Sequence, residues 1–368
     1  MIYLDHNATT PIDKRVIEAM LPYFKQFYGN PSSLYRAGRI VRSAIDTARE
    51  QVATLIDAQP DQIVFTSGGT EANNLALKTV IKDSSLAVSA IEHPSVLEPV
   101  SKDKECVIIP VESCGLVAHE EFEKLIQQPN PPALVSVMLA NNENGVIQDV
   151  KKISQTIKDV KTLLHTDAIQ AIGKIPVSFC QLEVDLMSLS SHKIYGPKGC
   201  GALVINKGVQ LDPMLVGGGQ ENDLRAGTEN VAAIIGFGKA AELAAQELEV
   251  RADYCFALRT KLERELKSIP GLLIFAEQAK RLPNTVQFGI QDVDGEMLLM
   301  QLDRKNIAVS SGSACSSGGG KASSVLTAMG VEYSLAKSAI RVTLGKANTE
   351  TEIMEFINIL KSFVMKGR

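Results

Sequence analysis

Short apolar, β-branched runs alternate with segments of helical spacing up to about residue 205, and few folds accommodate that order. The runs include "IVFT" at 63–66, "LAVS" at 86–89, "PALVSVML" at 132–139, "TLLHTD" at 162–167 and "GALVI" at 201–205. "RIVRSAIDTAREQVATLI" and "TEANNLALKTVI" carry apolar residues three and four apart, which places them on one face of a helix. Strands joined through helices cross over each time, so the sheet is mostly parallel with helices on both faces. Thr70 is the expected N-cap of the helix after "IVFT", with Glu71 in its first turn. After residue 230 an Ala-, Glu- and Lys-rich segment predicts one long helix to about Ser268, then short strands and helices of α+β character. The expected fold class is α/β. A mostly parallel, seven-stranded-type sheet fills a large domain over 15–245, and 1–14 with 246–368 form a smaller α+β domain.

Charge and composition narrow the function. The 368 residues carry 42 acidic and 38 basic side chains, a net charge of −4, and no long basic block, which argues against nucleic acid as a partner. The most apolar stretch, "VAAIIGFGKAAELAAQ", is too short and too interrupted to span a membrane. "MIYLDHNATTP" has neither the basic nor the apolar segment of a secretory leader. The six cysteines are scattered without a C-x-x-C pair, so neither a zinc site nor a disulfide framework is expected. These features predict a cytoplasmic protein with reduced thiols and no resident metal.

Ligands of open α/β sheets collect beyond the carboxyl ends of the strands. Here those ends are polar. Ser67, Gly68, Gly69 and Thr70 follow "IVFT" at the start of a helix, where backbone N–H groups favour an anion such as phosphate; an ordinary tight turn would read the same way. Neither a dinucleotide-binding glycine fingerprint nor a P-loop is present. Other runs end in Glu92 and His93, in Asn141, Asn142 and Glu143, in Asp167 with Gln170 just beyond, and in Ser190, His192 and Lys193. Each has a bland explanation as a cap or turn residue. Together they match the needs of pyridoxal phosphate: a lysine for a Schiff base, a carboxylate for the ring nitrogen, donors for the phosphate and a ring to stack. Lys193, flanked by apolar strands, is expected to be buried with a depressed pKa, as a Schiff-base lysine requires. Arg341 lies in the strand-like "AIRVT" and needs an anionic partner, either a ligand carboxylate or a structural ion pair. Cys315 lies in "SSGSACSSGGGKASS", a Ser/Gly run that reads as a mobile loop with an exposed thiol.

The chain resembles the cysteine desulfurases of the NifS/IscS type, within the class-V aminotransferases of fold type I. The matching stretches are "YLDHNATTP", "GNPSS", "FTSGGTEANNLAL", "EHPSV", "NNENG", "TDAIQAIGK", "DLMSLSSHKIYGPKG", "GGGQENDLRAGTEN", "SSGSACSS" and "SAIRVTLG", spread over essentially the whole chain. The resemblance implies that Lys193 holds pyridoxal phosphate as a Schiff base, Asp167 pairs with the ring nitrogen, Gln170 bonds the phenolic oxygen and His93 stacks on the ring. It implies phosphate contacts from Gly69, Thr70, Ser190 and His192, with Thr228 reaching in from the second subunit of a homodimer. Asn142, also near the cofactor, and Arg341 would hold the substrate carboxylate. Cys315 would be the nucleophile that takes sulfur from L-cysteine as a persulfide, leaving alanine, and would touch an iron–sulfur cluster only transiently. The implied partner is a sulfur acceptor or iron–sulfur scaffold protein. Another fold-type I enzyme, such as a selenocysteine lyase or an aminotransferase, and a scaffold without activity are the competing readings.

Overall fold

The computed structural model describes residues 1–78, 85–101, 106–311 and 322–366. Its largest sheet has seven strands, in the order Ile63–Thr66, Gly201–Ile205, Leu186–Ser190, Leu163–Asp167, Leu134–Ser136, Leu86–Ser89 and Val107–Ile109. Neighbours pair in parallel except on either side of Gly201–Ile205, which runs against both of its partners. The central strands are buried on both faces, which explains their near-continuous apolar character. On one face Val41, Ile45 and Val52 of the Arg36–Leu55 helix meet Ile234, Phe237 and Ala241 of the Val231–Gln246 helix. On the other, Leu75 and Leu77 of the Gly69–Lys78 helix pack with Val64, Val88 and Val96. Phe237 is fully buried, and truncating such a ring to alanine costs about 3–5 kcal/mol.

A second, antiparallel sheet is ordered Ser310–Ser311, Ile340–Thr343, Thr285–Ile290 and Leu272–Ile274. Its core, with Phe288, Val342 and Phe356, also takes in Ile2 and Leu4 from the N-terminus. Ile2–Tyr3 pairs in parallel with Ile307–Ala308. This leaves residues 5–10 crossing between the two cores, where they meet the large sheet's strand ends.

Two local expectations need correction. The helix after Ile63–Thr66 starts at Gly69, so Thr70 lies inside its first turn and is not the cap. A Cβ at Gly69 would meet Ile169 Cδ1, so a side chain there would make Ile169 shift. The long C-terminal helix is two helices, Val231–Gln246 and Leu248–Leu266, meeting at Glu247. Glu247 leaves helical geometry (φ −108°, ψ 9°), and its carboxylate accepts from Arg15 at 2.6 Å and from Arg251.

Candidate active site

The strand ends and the crossing N-terminal segment enclose a cavity of about 480 Å³. Gly69, Thr70, His93, Asn142, Asp167, Gln170, Ser190, His192, Lys193 and Arg341 all line it. These are the expected site residues except two. Thr228 lines a separate cavity of about 170 Å³ with Ser67 and Arg225. Cys315 falls at 312–321, outside the described residues.

Lys193 is half-buried, less enclosed than its apolar flanks suggest. It follows the Leu186–Ser190 strand in a short 3-10 turn, Ser191–Lys193, which aims it back over the strand end. Its Nζ donates to the Asn7 carbonyl and, at 2.7 Å, to that of Ala8. Asp167 ends the next strand and is buried. Its Oδ1 accepts from Ile169 N at 3.0 Å and its Oδ2 from Asn73 Nδ2 at 2.8 Å, which fixes the carboxylate. His192 Nδ1 lies 3.2 Å from Thr9 Oγ1. Burial, reinforced by the charges of Lys193, Lys198 and Lys174, lowers its pKa to about 4, so its ring is neutral near pH 7. Burial also lowers the pKa of His93, Lys193 acting with it and the Asp167 charge against it.

Arg341 is 3% exposed. Nη2 donates to Asp5 Oδ1 at 2.7 Å and Nη1 to the Asn142 carbonyl at 3.0 Å, while Nε has no hydrogen-bond partner among the described residues. Arg341 therefore has the structural ion pair that the sequence allowed for, and it also lines the cavity.

Residues that sequence reasoning missed hold this array together. Asn7, inside "YLDHNATTP", is buried at the junction: its carbonyl accepts from Gln170 Nε2 at 2.9 Å as well as from Lys193. Its Nδ2 donates to the Asn142 carbonyl at 3.2 Å. Lys174, four residues beyond Gln170, donates to Gln170 Oε1 at 2.6 Å and Asn7 Oδ1 at 2.9 Å, and burial pushes its pKa well down. A lysine between "AIG" and "IPV" was the available signal, the same one that singled out Lys193. Glu143, by contrast, is one of the polar strand-end residues named from the sequence, and it lies off the cavity lining: it accepts from Gln287 at 3.2 Å and from Ser323 Oγ, and burial raises its pKa to about 7.

The residues fit pyridoxal phosphate on features of the site itself. The Ser190 hydroxyl is buried without a partner where a phosphate would need a donor. The first N–H groups of the Gly69–Lys78 helix, which a helix cannot satisfy internally, open beside it. A lysine and a fixed carboxylate share the same cavity. Fold and site together define a pyridoxal-phosphate enzyme of the aminotransferase fold.

Comparison with known proteins narrows this. The class-V aminotransferase family matches residues 2–356. The chain is 43% identical to the cysteine desulfurase IscS of Dictyoglomus turgidum, with all of this chain and 95% of that protein covered. It is 41% identical to the cysteine desulfurase IscS of Methanosarcina thermophila, covering 93% of it. A NifS-like protein from Rickettsia africae superposes with a TM-score of 0.93 at 38% identity, covering 100% of this chain and 99% of that one. The chain belongs to the class-V aminotransferase family and, within it, to the NifS/IscS group of cysteine desulfurases.

Proposed function

We propose that the protein is a pyridoxal-phosphate-dependent cysteine desulfurase, converting L-cysteine to L-alanine and passing the sulfur through Cys315 to an acceptor. The observation that carries this is the convergence of Lys193, Asp167, His93 and Arg341 on one cavity in a chain so similar to desulfurases over its full length. A selenocysteine lyase or aminotransferase has no comparable support.

Bound pyridoxal phosphate supplies the electron sink that stabilises negative charge at the substrate α-carbon. The Ser190 hydroxyl, the His192 ring and the backbone at Gly69 and Thr70 hold its phosphate. Asp167 keeps a proton on the ring nitrogen, and Gln170 donates to the phenolic oxygen. Arg341 and Asn142 fix the substrate carboxylate. Lys193, which lines the same cavity, would hold and return the α-proton at Nζ. The Cys315 thiolate attacks the substrate sulfur: an S–S bond forms, the C–S bond breaks, and its electron pair goes to the carbon that becomes the alanine methyl group.

A homodimer completes the site, with Thr228 of each copy serving the other's phosphate. Phe24, Tyr28 and Leu34 are exposed at 65%, 85% and 88%, apolar surface that such an interface would cover. The chain works as two lobes, 15–245 holding the cofactor and 1–14 with 246–368 supplying Arg341 and Cys315. Among the described residues no helix is long and apolar enough to cross a membrane, and the five described cysteines are all free thiols. We place the protein in the cytoplasm, with a sulfur acceptor such as an iron–sulfur scaffold protein as its partner.

Purified protein should absorb in the visible, and borohydride reduction should fix the cofactor on Lys193. With L-cysteine it should release alanine. A protein that takes up no cofactor, or that fixes it on another lysine, would overturn this reading.

A further inference from the structure

His93 is the N-cap of the Pro94–Val100 helix. Pro94 has no N–H, so the first donor of that helix is Ser95 N, which donates to His93 Nδ1 at 3.1 Å. Ser95 Oγ lies 2.8 Å from the same nitrogen. Behind it, fully buried Asn73 donates through Nδ2 both to Ser95 Oγ and to Asp167 Oδ2, each at 2.8 Å. Turning the Asn73 amide over would set its carbonyl oxygen against the Asp167 carboxylate, so the amide orientation follows from charge. Ser95 Oγ accepts from Asn73, which leaves its proton for His93. Nδ1 thus meets two donors and must present a lone pair. A neutral imidazole then carries its proton on Nε2.

We infer that Ser95 and Asn73 are positioning residues that hold His93 as the neutral, Nε2-protonated tautomer and tie its orientation to the Asp167 carboxylate. His93 lines the cavity, so it offers an N–H there, as a hydrogen-bond donor and acid. A base at Nε2 would require the other tautomer, which forfeits both donors at Nδ1. The charges facing His93 are Asp167, which favours the imidazolium, and Lys193, which opposes it together with burial. The Ser95 hydroxyl adds to that opposition, because Nδ1 cannot take a proton until the hydroxyl turns away.

This inference rests on the proposed cofactor site, and the test separates the two. Holoenzyme labelled with nitrogen-15 histidine carries five labelled rings. Comparison with His93→Gln assigns the His93 signals, and the visible band reports the cofactor independently. Near pH 8, above the ordinary imidazole range, the expected spectrum shows His93 protonated at Nε2 alone. In Ser95→Ala the midpoint for imidazolium formation should rise by about half a unit to one unit, with the cofactor band intact, and Ser95→Thr should restore it. Should Ser95→Ala fold poorly, the wild-type tautomer decides alone. A proton on Nδ1 in the wild type, or an unmoved midpoint in folded Ser95→Ala, would overturn the inference. A wild type without a cofactor band would instead overturn the functional reading, with the His93 tautomer still legible in the same sample.

Discussion

Arg341→Ala separates the two duties of this arginine. Its guanidinium is buried, and two of its nitrogens are committed to Asp5 and Asn142. A substrate carboxylate would add a charge-assisted contact to a fork that the protein has already oriented. Losing such a contact costs about 2–4 kcal/mol, or roughly 30- to 700-fold in substrate affinity. The substitution also strands Asp5. That carboxylate keeps 18% of its side-chain surface in solvent, so water partly replaces the arginine. The folding penalty should stay below the roughly 3–5 kcal/mol typical of breaking a fully buried pair. Three readouts distinguish the effects: KM for L-cysteine, cofactor content from the visible band, and melting temperature. The expected result is a large rise in KM, unchanged cofactor content and a modest loss of stability. Arg341→Lys, which keeps the charge without the planar fork, should fall between the two. An unchanged KM in a normally folded Arg341→Ala protein would refute the substrate role and leave only the Asp5 ion pair.

Lys193→Ala should abolish covalent retention of the cofactor, measured as loss of label after borohydride reduction and denaturation. Lys174→Met removes the donor to Gln170 Oε1, and leaving that buried acceptor unpaired should lower stability by about 1–3 kcal/mol, read by denaturant unfolding, while Asn7 Oδ1 keeps Asn284 Nδ2 as a donor at 3.1 Å. Glu143, raised from 4.5 to about 7 by burial, keeps a proton on folding that the unfolded chain gives up. Its contribution is fully present below pH 4.5 and is lost as the pH rises through about 7, so Glu143→Gln should flatten the fall of melting temperature over that interval. Mixing Lys193→Ala with Thr228→Ala subunits should recover activity through hybrid dimers; no recovery in verified hybrids would place Thr228 outside the shared site.

Much of this was legible in the chain because local pattern carried it. The β-branched runs became strands of the large sheet, all in parallel pairs except where Gly201–Ile205 runs against its neighbours, and the polar residues at their carboxyl ends did converge: Asp167 and Lys193 from neighbouring strands, His93 from across the sheet. The start of the Gly69–Lys78 helix was misread because the Thr70 hydroxyl fits the usual capping pattern, whereas the helix begins one residue earlier. The break at Glu247 was hidden by uniformly good helix formers; what ends the helix there accompanies an ion pair with Arg15, distant in sequence. Asn7, Asp5 and Lys174 were overlooked for the same reason. Their partners lie on other elements, and Asn7 carries no chemistry of its own to attract notice. The Asn73–Ser95–His93 chain joins the middle of the Gly69–Lys78 helix to the start of the Pro94–Val100 helix, which only the folded sheet brings together.

A single turnover tests the desulfurase reading most directly. Holoenzyme is mixed with a substoichiometric amount of L-cysteine and no reductant, then assayed for alanine and, by alkylation and mass spectrometry, for extra sulfur on each cysteine. Alanine and bound sulfur should appear in equal amounts, with the sulfur on Cys315, and Cys315→Ser should yield neither while keeping its visible band. Alanine without sulfur on Cys315, or pyruvate in its place, would contradict sulfur transfer to this thiol.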